Sequence, residues 1–189
     1  MLWNTPGLQI MLPSSPHDVK GLLKTAVVSV TPVIFVDHVK LFEITGPVPE
    51  KDYAIPFGKA NVLRQGGDVS IVATSYMVQR SLKAAEMLAR QGVTVEVIDL
   101  RTLVPLDKTT LLNSVAKTGR VVIADEGHRS CGVGAELAAI VAEEAFHYLK
   151  APVKRVVTPD IPVPFSPPLE HHIDPTEEKI VAAVQEVLK

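Results

Sequence analysis

The chain has 189 residues, 47% hydrophobic and 21% charged, and 19 basic against 21 acidic residues leave a net charge of −2. That length can bury roughly 70% of its unfolded surface, so a core forms without staples, and the charge balance argues against a nucleic-acid footprint or a membrane-surface binder. The single cysteine, Cys131, excludes a disulfide framework and a zinc site built on several thiolates. No apolar run approaches the ~20 residues that span a bilayer. Met1 to Gly7 lacks the basic-then-apolar order of an export signal, which predicts a soluble, intracellular protein.

In chain order, Leu8 to Leu12 reads as a strand, and Ser15-Pro16-His17-Asp18 opens a helix through Leu22, Leu23, Ala26 and Val27. Val33 to Val36 is a second strand. Two strands and one helix cannot cover both faces of a parallel sheet. Residues 1–45 therefore read as the end of a domain that borrows a partner's surface or is partly disordered. The proline-spaced residues 46–59, with Gly46-Pro47-Val48-Pro49 and Ile55-Pro56-Phe57-Gly58, read as an extended linker lying over a surface.

From residue 60 to residue 189 short apolar runs alternate with amphipathic segments. Val69 to Ala73, Val93 to Ile98, Val121 to Ala124 and Val153 to Val157 read as buried strands. Val78, Leu82, Ala85 and Leu88 mark a helix before Gly92; Asp107 caps one over Thr109 to Lys117, closed by Gly119. A further helix runs from Ala135 to Leu149. Asp174-Pro175-Thr176-Glu177 supplies a cap, a proline at the first helical position and an acid three residues on. Strand and helix in turn predict an α/β fold with a mainly parallel sheet and crossover helices.

The best local candidate for chemistry is Asp125 to Gly134, between a strand and a helix, where α/β sheets bind ligands. As a dinucleotide fingerprint it fails, because Leu137 stands where the third glycine belongs. Cys131 near His128 has the surroundings of an activated thiolate; a tight turn at a sheet edge is the plainer reading and is preferred. Glu170-His171-His172-Ile173-Asp174 has metal-ligand residue types, but adjacent histidines in an extended segment point to opposite sides, so surface residues are favoured. The proline run Pro159 to Pro168 reads as a stiff crossover loop on a neighbour rather than a polyproline ligand. Asp99-Leu100-Arg101-Thr102 places Arg101 near an anionic group or in an ion pair holding the loop.

Together these segments resemble a known family. Pro6-Gly7-Leu8 and Pro13 to Leu23 are similar to the β subunit of the thiamine-diphosphate-dependent 2-oxo acid dehydrogenases. So are Pro32 to Phe35, Val97 to Asp107, Lys117 to Arg120, Gly134-Ala135-Glu136, Ala151-Pro152-Val153 and Pro162-Val163-Pro164, in collinear order over nearly the whole chain. The resemblance implies a transketolase C-terminal domain over residues 60–189, preceded by the C-terminal remnant of a pyrimidine-binding domain over residues 1–45. It implies an α subunit and a second β subunit as partners, and docking of the subunit-binding domain of a lipoyl acyltransferase near the last helix and the Lys189 carboxylate. Thiamine diphosphate and magnesium belong to the full assembly; the glutamate and histidine that work on the cofactor lie upstream of the matching segment, so no catalytic or cofactor-binding residue carries over. The chain resembles a C-terminal fragment that is inactive alone.

The family also holds a potassium ion at positions matching the Ala26 carbonyl, Ser29 and Thr31, though it usually has Asp and Asn where Ser29 and Thr31 stand. Cytoplasm, or the mitochondrial matrix in a eukaryote, is the expected location. The rivals are an acetoin dehydrogenase β subunit, a deoxyxylulose phosphate synthase relative, and an independent nucleotide-binding α/β module using Gly132 and Gly134.

Overall fold

A computed structural model describes residues 2–189. The first segment forms β1 (Gln9–Met11), α1 (Pro16–Val27) and β2 (Val33–Phe35), then a short 3-10 turn over Val39–Glu43. Helix α1 starts where its sequence says: the Ser15 hydroxyl accepts from the Asp18 amide at 3.2 Å, and Pro16 occupies the first helical position, where a missing N–H costs nothing. After the extended residues come β3 (Asn61–Arg64), β4 (Val69–Ala73), α2 (Tyr76–Ala89), β5 (Val95–Asp99), β6 (Thr102–Val104) and α3 (Lys108–Thr118). The chain ends with β7 (Val121–His128), α4 (Val133–Glu144), β8 (Lys154–Thr158), α5 (Pro167–Ile173) and α6 (Glu177–Leu188).

The main sheet has the order β3-β5-β4-β7-β8, parallel throughout except for β3, which runs antiparallel on β5. Alternation along the strands feeds two cores. Ile71, Val97 and Val122 face α2 and α6 on one side, while Val72, Ile98 and Ile123 face α3 and α4 on the other. These six side chains are fully buried, which is why their strands read as continuous apolar runs.

A second sheet, β2-β1-β6, joins the first segment to the rest. β1 pairs parallel with β2 and antiparallel with β6, so the surface that residues 1–45 borrow includes a strand of their own chain. The proline-spaced segment lies over α1, where the Ile55 amide donates to the Gly21 carbonyl at 3.0 Å and Ile55 packs on Met11 and Leu22. A Cβ at Gly21 would meet Ile55 Cγ1 at 2.5 Å and Tyr53 Cε2 at 2.8 Å, so any larger residue there would have to push these side chains aside.

Several sequence expectations need correction. Strands β3 and β6 were not foreseen. The helix expected over Ala135 to Leu149 ends at Glu144 and gives way to a 3-10 turn over Phe146–Tyr148. His171 and His172 lie on helix α5, not on an extended segment. The N-cap of α6 is Thr176, whose hydroxyl accepts from the Lys179 amide, whereas Asp174 closes α5 and Pro175 stays outside both helices. The Asp107 cap and the left-handed Gly119 closure of α3 form as read.

Candidate functional site

From β4 the chain winds to β5 on one side, then crosses by α3 to β7 on the other. The carboxyl ends of β4 and β7 are therefore a topological switch point, where connecting segments diverge and α/β sheets open a crevice. β4 passes into α2 through Ser75, which holds φ 52° and ψ −133°; a non-glycine residue there stores on the order of 1–3 kcal/mol of strain. Its hydroxyl is buried and has no hydrogen-bond partner among the described residues.

Around this point three segments converge on Tyr76. His38 stacks on its ring with centroids 5.0 Å apart, and His38 Nε2 lies 3.2 Å from Glu126 Oε2 at the end of β7. The Arg80 guanidinium and the Lys40 ammonium sit 5.1 and 5.4 Å from the same ring, cation–π distances. Arg80 is itself buried; it donates to the Pro175 carbonyl at 2.7 Å and to Asp174 at 3.2 Å. The cluster ties the turn after β2, the start of α2, the end of β7 and the α5–α6 junction together. His38 and Glu126 form a dyad, and the Ser75 hydroxyl has no hydrogen-bond partner among the described residues. The arrangement positions these segments against one another.

A second buried polar cluster joins the two sheets. The Ser14 hydroxyl lies 2.5 Å from Asp99 Oδ2 and 3.4 Å from Asp18 Oδ2, and Asp99 Oδ1 accepts from the Arg101 amide at 2.9 Å. Arg101, at φ 59°, brings its guanidinium within 2.6 Å of Asp18. Burial pushes the Asp99 carboxyl up to about 7, with the nearby Asp18 charge adding to the rise. Of the two roles read for Arg101, the ion pair is the one formed.

The segment Asp125 to Gly134 is the end of β7, a tight turn over residues 129–132 and the start of α4. Asp125 Oδ2 accepts from the Gly134 amide at 3.3 Å, and burial raises the Asp125 carboxyl above its ordinary range. His128 Nδ1 meets the Pro159 carbonyl at 2.9 Å and Ser130 bonds Asp160 through both its amide and its hydroxyl, so His128 is spent on the opposite loop. Those Ser130 bonds hold the Asp160 carboxyl below its ordinary range. Cys131 is exposed at φ 56°, as the tight-turn reading requires. The cavity beside it, about 700 Å³, is faced by Asp125 and Glu136, which oppose an anion at the start of α4.

Ala26, Ser29 and Thr31 do share one turn. The Ala26 carbonyl already accepts the Val28 and Ser29 amides, while the Ser29 hydroxyl accepts the Thr31 amide at 3.1 Å and lies 2.9 Å from Gln9 Oε1. With both oxygens engaged and no carboxylate among the three, this donor set fits a closed helix end rather than a potassium cage. Among the described residues no trio of His, Cys, Asp or Glu is placed to hold a metal ion. Lys189 is exposed at the end of α6, whose Val187 carbonyl accepts from Arg120 Nε at 2.9 Å. His38, Tyr76 and Ser75 were missed by sequence reading; the only local signal was an abrupt strand-to-helix passage at Thr74-Ser75.

The family model for "Transketolase, C-terminal domain" matches residues 58–180. The chain belongs to that family. Among curated relatives, the acetoin:2,6-dichlorophenolindophenol oxidoreductase subunit beta of Cupriavidus necator is 48% identical over 97% of this chain and 54% of its own length. The pyruvate dehydrogenase E1 component subunit beta of Staphylococcus epidermidis is 47% identical over 88% of this chain and 51% of its own. The 2-oxoisovalerate dehydrogenase subunit beta of Bacillus subtilis is 41% identical over 97% of this chain and 57% of its own. The chain thus spans about half the length of the curated relatives it matches. Among solved structures, one titled a split gene transketolase, inactive beta4 tetramer, superposes with a TM-score of 0.80 at 30% identity, covering 98% of this chain and 58% of the other.

Proposed function

We propose that the chain is the C-terminal part of the β subunit of a thiamine-diphosphate-dependent dehydrogenase acting on a 2-oxo acid or on acetoin, and that this part serves assembly. The observation that carries the reading is collinear similarity over 88–97% of the chain to β subunits of three such enzymes. The switch point fits it: its polar groups lock the turn after β2, the start of α2, the end of β7 and the α5–α6 junction to one another. The first segment adds exposed apolar residues, with Val27 77%, Val28 78%, Val30 102% and Phe42 73% accessible, which is surface that subunit contacts bury. In the full assembly thiamine diphosphate with magnesium would supply the carbanion chemistry; this chain contributes α and β contacts and, at α6 and Lys189, a seat for the subunit-binding domain of a lipoyl acyltransferase.

Calorimetric titration of the purified chain with that isolated subunit-binding domain tests the docking. A saturable one-step isotherm that weakens when Lys189 is removed is expected. A flat isotherm with a folded chain would place docking elsewhere, and turnover of pyruvate, 2-oxoisovalerate or acetoin by the chain with magnesium and thiamine diphosphate alone would overturn the assembly role.

A further inference from the structure

The main sheet ends at β8, and its outer side is open. Among the described residues, the backbone groups of Lys154 to Val157 make no hydrogen bond beyond the ladder to β7. An open edge of this kind is a template for another strand.

A groove of about 560 Å³ runs between this strand and α6, with Val157 and Ala183 among its apolar lining. Four cations, Arg129, Lys154, Arg155 and Lys179, line it against one carboxylate, Glu186, which is already paired with Lys154. The other three bond only neutral oxygens or none: Arg155 donates to the Arg129 carbonyl at 2.8 Å, and Lys179 to the carbonyls of His172 and Asp174 at 2.5 and 2.6 Å. This local excess stands out in a chain whose net charge is −2.

The charge also decides what can sit there. Pairing of β8 with the same strand of a second copy would set Lys154 and Arg155 against their like, which is unfavourable across a strand pair. An acidic strand reverses the sign of that contact. We propose that the β8 edge and its groove dock an extended acidic peptide segment of another protein, which adds as a strand beside Lys154–Thr158 with its carboxylates on Arg129, Arg155 and Lys179. Main-chain bonds supply the affinity, and the cations supply selectivity and steering. The inference is independent of the docking at Lys189, because it rests on the sheet edge and not on the helix end.

The probe is a fluorescein-labelled ten-residue peptide alternating Glu with Val or Thr, titrated by anisotropy against the full chain. Saturable binding is expected, weakened roughly tenfold by Arg155→Glu with Lys179→Glu and by raising the salt. The same peptide with alternate amides N-methylated keeps its charge and should also bind roughly tenfold more weakly, because an added strand needs those N–H groups. Hydrogen exchange at Lys154–Thr158 should slow in the complex. Absence of saturation, equal binding of the Gln-for-Glu peptide, or equal binding of the N-methylated peptide would each overturn the proposal. If the double variant fails to fold, Arg129→Glu on its exposed loop gives the charge test.

Discussion

Asp99 is the clearest case of one residue coupling chemistry to the joint between the sheets. Its side chain is fully buried beside Asp18, and its carboxyl is pushed up from 3.8 to about 7. Between those values the folded chain holds a proton that the unfolded chain has released, so stability falls with rising pH across that range. The contribution is complete below about pH 4 and lost as pH passes about 7, a change on the order of a few kcal/mol. Asp99→Asn keeps an acceptor for Ser14 and the Arg101 amide but cannot ionise. Thermal unfolding at pH 5 and pH 8 should show the parent less stable at the higher pH and the variant nearly level; a parallel decline in both would show that Asp99 does not titrate in this range. Ser75 offers a second test. Its positive φ and its buried, unpartnered hydroxyl both cost stability, and glycine relieves both. After the added unfolded-state entropy of glycine, Ser75→Gly should raise the urea midpoint by about 1 kcal/mol equivalent. A lower midpoint would mean the hydroxyl has a partner in solution.

Elements were legible where local chemistry alone decides them. Ser15 before Pro16, Asp107 with Gly119, and the apolar runs of β4, β5 and β7 each carry their own signal, and each formed. The element boundary at Asp174 failed because two caps compete there: Pro175 fits a first helical position, yet Thr176 takes the cap and leaves Asp174 to Arg80. Strands β3 and β6 are three or four residues long and exist because a neighbour's ladder is there to pair with. The Tyr76 cluster was hidden for the same reason, since His38, Arg80 and Glu126 lie far apart in the chain and only the sheet order brings them together. Gly66 shows what holds β3 in place. A Cβ there would meet the Val95 carbonyl carbon at 2.2 Å and the Glu96 nitrogen at 2.4 Å, both backbone atoms that cannot step aside. Gly66→Ala should therefore cost more than about 2 kcal/mol in chemical denaturation, whereas Gly92→Ala, at φ +80° but in open space, should cost only about 1. Equal penalties would remove the close approach as the reason for glycine at position 66.

At the scale of the molecule the two ends of the chain differ in how they meet water. The main sheet is covered by α2 and α6 on one face and α3 and α4 on the other, and its strands β4 and β5 are buried at every position. The small sheet has α1 and the proline-spaced segment, and leaves Val27, Val28, Val30, Val39 and Phe42 in solvent. Apolar side chains exposed together in one short stretch mark surface that another body covers, or surface that drives association when nothing does. Free in solution, the chain should therefore self-associate: its sedimentation coefficient should rise with concentration over the micromolar range. Val30→Lys with Phe42→Lys replaces two fully or mostly exposed side chains, touches none of the buried clusters, and should return the chain to a concentration-independent monomer with an unchanged circular dichroism spectrum. A parent chain that is already monomeric at all concentrations would show that residues 1–45 need no cover, and the assembly role would then rest on α6 and the C-terminal domain alone.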